Sequence, residues 1–109
     1  MVSKGSYRNV VGPLVQRHRT ARGWSQQLLA ARCQLAGWDV SRSIVAAIEG
    51  RVRWVGDWEV ILLAEILGVQ IADLYPAEFN AVEFGVPVPL EYPDGSARPK
   101  IDGSLAAED

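Results

Sequence analysis

Residues 23–49 read Gly-Trp-Ser-Gln-Gln-Leu-Leu-Ala-Ala-Arg-Cys-Gln-Leu-Ala-Gly-Trp-Asp-Val-Ser-Arg-Ser-Ile-Val-Ala-Ala-Ile-Glu. Two serines in this stretch, Ser25 and Ser41, each stand directly before a run of helix-forming residues. Serine is a preferred N-cap because its hydroxyl accepts a bond from a backbone N–H that the first helical turn leaves unpaired. The small pair Ala30-Ala31 falls where two helices would approach closely. Gly37 interrupts the apolar pattern between them. The stretch therefore predicts two short helices joined by a turn, a helix-turn-helix, whose second helix is of the size that lies in a major groove.

Working outward, Pro13 suits the first turn of a helix over about 10–22, where its missing N–H does no harm. Val11, Val15 and His18 are spaced four and three apart and share one face. Gly23 ends that helix, because glycine accepts the positive φ of a helix terminus. The second helix begins after Ser25, turns Leu29 and Cys33 inward and runs on to about Leu35. Gly37, Trp38 and Asp39 make the turn. The third helix begins after Ser41, with Val45 and Ile48 on its inner face. Residues 50–56 form a loop carrying Arg51 and Arg53. A fourth helix starts near Asp57, with Glu59 favourable in its first turn, and ends at Leu67 before Gly68. Its inner stripe is Val60, Leu63, Ala64 and Leu67. A short fifth helix is expected over 71–75, before Pro76.

Beyond Asn80 the pattern changes. Pro87, Pro89, Pro93 and Pro99 exclude a long helix. Apolar residues alternate at Val82, Phe84, Val86, Val88, Leu90 and Tyr92, an extended pattern of period two. The expected organisation is a flexible N-terminus over 1–6, a helical domain over 7–79 and an extended, Pro-containing acidic tail over 80–109.

The chain has 109 residues, 49% of them apolar, and a formal net charge of -2. The charge is uneven. Residues 7–79 carry eight arginines and seven acids, whereas residues 80–109 carry six acids against Arg98 and Lys100. A nearly neutral domain with an acidic tail permits a local basic face without requiring one. Cys33 is the only cysteine, so a disulfide within one chain and a cysteine metal cluster are both excluded. A lone cysteine in an apolar pattern reads as packing. The longest apolar run, residues 60–64, falls far short of the ~20 residues a membrane span needs. A cytoplasmic protein is expected. No nucleophile stands with a base, and no phosphate-cradling glycine loop or ligand set at metal spacing is present. His18, the only histidine, reads as a core or boundary residue. Neither an enzyme, nor a cofactor, nor a small-molecule ligand is expected.

Residues 11–75 resemble the phage-repressor (Cro-like, XRE-type) helix-turn-helix domains. The resemblance rests on Arg19, Gly23, Ser25-Gln26, Leu29-Ala30, Val40-Ser41-Arg42, Ile48-Glu49, Arg53, Leu63-Ala64, Leu67-Gly68-Val69 and Leu74, in that order and spacing. It implies an all-α, five-helix repressor-like DNA-binding bundle, here with the extended C-terminal tail. The chain departs from many members in its longer connection, residues 33–39, which resembles a subgroup with an extended Leu-Ala-Gly-Trp-Asp turn. That departure leaves the angle of the third helix open.

The resemblance also implies roles. Gln26 would hold a DNA phosphate, and a helix N-terminus suits an anion; the alternative is a solvated side chain. Ser41, Arg42, Ser43 and Ala47 match positions from which the recognition helix reaches DNA. Arginine grips guanine with two bonds, and alanine touches only a thymine methyl. Arg51 and Arg53, in the loop that follows, would contact phosphate or remain solvated charge. Arg19 and Glu49 match a pair that bridges helices one and three.

The expected partner is double-stranded DNA, bound by a homodimer that regulates transcription. Ile61, Leu62 and Ile66 make the fourth helix apolar on more than one face, which calls for a second cover. The base-reading face is small and apolar, so an alternative stands beside DNA binding: a protein-interaction module on the same fold, antitoxin-like or an anti-regulator.

Overall fold

The computed structural model describes residues 7–85. Four helices follow in order: α1 (Gly12–Ala21), α2 (Gln26–Leu35), α3 (Arg42–Glu49) and α4 (Asp57–Leu67). The compact helical unit is Tyr7–Pro76.

Each helix starts and stops for a local reason. Ser25 Oγ accepts the Leu28 N–H at 3.0 Å, and Ser41 Oγ accepts the Ile44 N–H at 3.3 Å. Both serines sit in extended backbone, as N-caps do. At α4 the cap is supplied from within the helix, where Glu59 Oε1 accepts the Gly56 N–H at 2.9 Å. Gly68 ends α4 in the left-handed region at φ 72.

The extended turn between α2 and α3 is tightly bonded. Gly37 takes φ 95, and the Trp38 N–H returns to the Cys33 carbonyl at 2.9 Å. Gln34 Nε2 donates to the Val40 carbonyl at 2.6 Å, tying the end of α2 to the residue before the α3 cap. Trp38 is buried in the core beside Val40. The longer connection thus fixes α3 by an aromatic anchor and a side-chain strap.

The core joins Val11 and Val15 of the first segment to Leu29, Ala30 and Cys33 of α2, Val45 and Ile48 of α3, and Val60, Leu63, Ala64 and Leu67 of α4. Leu74 closes it from below. The approach of α1 to α3 depends on Gly12. A Cβ there would lie 2.2 Å from the Ile48 carbonyl oxygen and 3.0 Å from that of Glu49.

The expected fifth helix is a single 3-10 turn, Ile71–Leu74. Asp73 Oδ2 accepts the Gln70 N–H at 2.9 Å, and Tyr75 is already extended ahead of Pro76. Five residues between the Gln70 cap and Pro76 leave no room for an α-helix to propagate. His18 joins α1 to this turn, its Nε2 lying 3.2 Å from the Asp73 carbonyl. The alternating pattern also misleads where it begins: Ala81–Phe84 is a 3-10 turn, with Phe79 and Phe84 stacked at 5.6 Å. Of the alternating residues Val82 and Phe84 lie in this turn, which Asn80 Oδ1 starts by accepting the Val82 N–H at 3.1 Å. The rest of the expected tail and the expected flexible N-terminus over 1–6 lie outside the described residues.

On α4, Leu62 and Ile66 pack partly against the core, and Ile61 is exposed. Two of the three residues expected to need outside cover thus find some within the domain. Among the described residues no helix is long and apolar enough to cross a membrane.

Burial pushes the Cys33 thiol pKa up to about 11. Since the thiolate is the reactive form, iodoacetamide at pH 8 is expected to label Cys33 about a hundredfold more slowly in native protein than in denatured protein. Mass spectrometry over time reads this; equal rates would show that the α2 face is open.

Candidate nucleic-acid interface

The α3 helix is divided into two faces. Val45, Ile48 and Glu49 are buried, while Arg42 and Ser43 are exposed and Ile44, Ala46 and Ala47 are half-buried. Among the described residues Arg42 makes no hydrogen bond or ion pair. Ser41 is occupied as the cap and also shares a hydrogen bond with Ser43, Oγ to Oγ 3.0 Å. Ser41 therefore orients the first turn of α3, and Ser43 faces solvent with one hydrogen-bonding site engaged.

Behind this face lies the ion pair of Arg19 and Glu49. Arg19 Nε donates to Glu49 Oε2 at 2.6 Å and Nη2 donates to Oε1 at 2.9 Å. A third bond runs from Nη1 to the Trp24 carbonyl at 2.7 Å. Both side chains are buried, and the pair locks α1 to the end of α3. Its hydrogen bonds to Glu49 raise the Arg19 pKa, burial opposes them, and the charge of Glu49 adds to the rise. The guanidinium stays charged throughout the stable pH range of a protein.

Gln26 extends the same network. Its Nε2 donates to Glu49 Oε1 at 2.9 Å, so the side chain is fixed rather than solvated. An amide nitrogen carries two protons and this bond uses one. Ser25 caps the Leu28 N–H, and the N–H groups of Gln26 and Gln27 at the open end of α2 meet no acceptor among the described residues. Free N–H groups and the helix dipole together favour an anion there.

The loop after α3 is ordered by aromatic and carboxylate partners. Arg53 forms a fork with Glu59, Nη1 to Oε1 2.9 Å and Nη2 to Oε2 3.3 Å, and lies 6.0 Å from the Trp38 ring. Burial is the strongest single influence on the Glu59 carboxyl and pushes its pKa up. The Arg53 bonds, the Gly56 N–H and the Arg53 charge outweigh it, and the pKa falls below the ordinary value. Arg53, expected to contact phosphate or remain solvated charge, thus has a structural partner in Glu59. Arg51 stands at φ 65, with its guanidinium 3.7 Å from the Tyr7 ring centroid.

Two features had no clear signal in periodicity. Asn9 is buried and bonds three backbone groups: Nδ2 donates to the Ile48 carbonyl at 3.1 Å and the Arg53 carbonyl at 2.8 Å, and Oδ1 accepts the Gly12 N–H at 2.8 Å. The last of these is legible as an asparagine just ahead of a Gly-Pro helix start. The tryptophans divide by position. Trp24 and Trp38 pack on or within the core, whereas Trp54 is 70% exposed and Trp58 touches Trp38 edge-on at 5.8 Å. Among the described residues no group of His, Cys, Asp and Glu could hold a metal ion.

No model of a known family matches the chain, and no curated protein does. Solved structures do. The chain is 31% identical to the restriction-modification controller protein C.AhdI from Aeromonas hydrophila, with a TM-score of 0.50, over 60% of this chain and 87% of that one. It is 23% identical to the DNA-binding domain of BldD, with a TM-score of 0.53, over 68% of this chain and all of that domain. The second likeness speaks for the fold; the first, in identity and in share of the relative covered, speaks for descent. With the capped α2–α3 pair and the Arg19–Glu49 bridge in place, the chain belongs to the Cro-like, XRE-type family of helix-turn-helix DNA-binding transcriptional regulators.

Proposed function

We propose that the chain binds duplex DNA sequence-specifically as a homodimer, with the N-terminus of α2 on a phosphate and α3 in the major groove. The observation that carries this reading is the exposed, unpaired Arg42 in the first turn of a helix whose other face is locked into the core. An arginine there reaches a guanine edge from a fixed base, at a defined angle. Gln26, held by Glu49, offers its second amide proton to the backbone beside the groove. Ser43 supplies a short polar contact and Ala47 an apolar one. Arg51 and Arg53 lie on the loop that would follow the strand. Arg53, paired with Glu59, serves this loop chiefly by holding its shape.

Ile61, exposed on α4, supports a second subunit. Two-fold symmetry would then match a palindromic operator with half-sites about one helical turn apart. The site of action is the cytoplasm, where the operator lies.

The chain is expected to bind duplex DNA with a log–log salt slope of about -3 to -5, as a handful of displaced counterions requires. Gel shifts over a pool of genomic fragments at several salt concentrations check it. Undetectable binding in low salt would sink the reading. It would promote the alternative, a protein-interaction module, for which exposed Leu35, Val52 and Trp54 offer apolar contacts.

A further inference from the structure

The segment before α1 and the loop after α3 are laced together, although 39 and 44 residues separate the bonded positions. The Arg8 N–H donates to the Arg51 carbonyl at 2.8 Å, and Arg51 Nε returns to the Asn9 carbonyl at 3.2 Å. The Asn9 amide adds its two bonds to Ile48 and Arg53. Between those anchor points Arg51 occupies the left-handed region, at φ 65. A non-glycine residue seldom rests there, and such strain persists where the surroundings over-determine it. The C-terminal turn of α3 sets it, with the Arg51 N–H on the Ile48 carbonyl and the Val52 N–H on the Ala47 carbonyl, each at 3.0 Å, and Asn9 fastens the chain on either side. One amide grips the last turn of α3 on one side of Arg51 and the Arg53 carbonyl on the other.

We infer that Asn9 is a positioning residue of the DNA interface. Through Ile48 and Arg53 it sets the path of residues 50–53 relative to α3, so that the recognition helix and the arginine loop meet one duplex together. This rests on the proposed function and adds to it a residue that touches no DNA. Without the two donors the Arg53 carbonyl loses its tie to the end of α3, and residues 52–53 can swing away from it. The helix stays in place, held by Arg19–Glu49 and its core face, and the loop loses its register with the backbone.

The test compares full-length wild-type protein with Asn9→Asp and Asn9→Ser. Asn9→Asp retains an acceptor for the Gly12 N–H and removes both donors; Asn9→Ser shortens the side chain without adding charge. Val15→Ala, in the α1 core, is the control for lost stability alone. Affinity for a bound genomic fragment is corrected for the folded fraction and measured across salt. Both Asn9 variants are expected to bind about tenfold more weakly, with a slope shallower by about 1, the signature of a lost phosphate contact. Val15→Ala should keep the wild-type affinity and slope per folded molecule. Asn9 variants that match wild type in both, or that merely match Val15→Ala, overturn the inference and leave DNA binding standing. A wild-type chain that binds no duplex overturns both. If neither Asn9 variant folds, exchange of the Asn9 side-chain amide protons in wild type decides. Saturating DNA should slow it more than it slows the core amides of Leu63 and Leu67, and an equal or smaller slowing counts against the role.

Discussion

Arg19→Ala is expected to lower the stability of the domain by about 3–5 kcal/mol, the range for breaking a buried ion pair from one side. The change removes three hydrogen bonds at once, two to Glu49 and one to the Trp24 carbonyl. What remains is a buried carboxylate whose one other hydrogen-bond donor among the described residues is the Gln26 amide. Its desolvation is then uncompensated, which costs more than the pair itself contributes. The double variant Arg19→Ala/Glu49→Ala should recover part of the loss. Denaturant unfolding of the four-member cycle measures the coupling. Additive losses would mean that the two groups act independently and that α1 and α3 are docked by packing alone.

Gly12→Ala is the second large effect, at about 1–3 kcal/mol, the usual cost of forcing a methyl group into filled space. Alanine is the better helix former by roughly 1 kcal/mol in a helix interior, so propensity alone predicts a gain. The geometry decides otherwise. The new Cβ would meet the Ile48 carbonyl oxygen at 2.2 Å, and that oxygen belongs to backbone already bonded by Asn9. Neither α1 nor α3 can yield without disturbing the Asn9 bonds or the Arg19–Glu49 fork. Thermal unfolding reads the loss; a variant as stable as wild type would show that the two helices slide freely.

Local chemistry made the helices legible. Ser25, Ser41, Gly23 and Gly68 mark termini by what their side chains, or the lack of them, do to nearby backbone groups. The inward spacing of Leu29, Cys33, Val45, Ile48, Leu63 and Leu67 marks the core. Periodicity fails where an element is shorter than its own period. The short helix expected over 71–75 is only a 3-10 turn, Ile71–Leu74, because Asp73 ties back to the Gln70 N–H and Pro76 follows at once. Val82 and Phe84 alternate, yet lie in a turn. The site was legible as positions rather than partners. Arg53 looked like any loop arginine until Glu59 came to its side, and Gln26 like a solvated or phosphate-bound side chain until it met Glu49. The bonds of Asn9 to Ile48 and Arg53 leave no trace in spacing, because they join segments that only the fold brings together.

In the proposed function α3 reads base sequence through Arg42. Selection of genomic fragments bound by the wild-type chain and by Arg42→Ala tests it most directly. Wild-type fragments should share an inverted repeat with a guanine at matching positions of each half-site. Losing one such contact costs about 1–3 kcal/mol of discrimination at that base. The variant is therefore expected to keep salt-sensitive binding to random duplex while preference at that guanine collapses. A wild-type pool with no common sequence, or a variant that selects the same repeat equally well, would show that Arg42 on α3 does not read the bases.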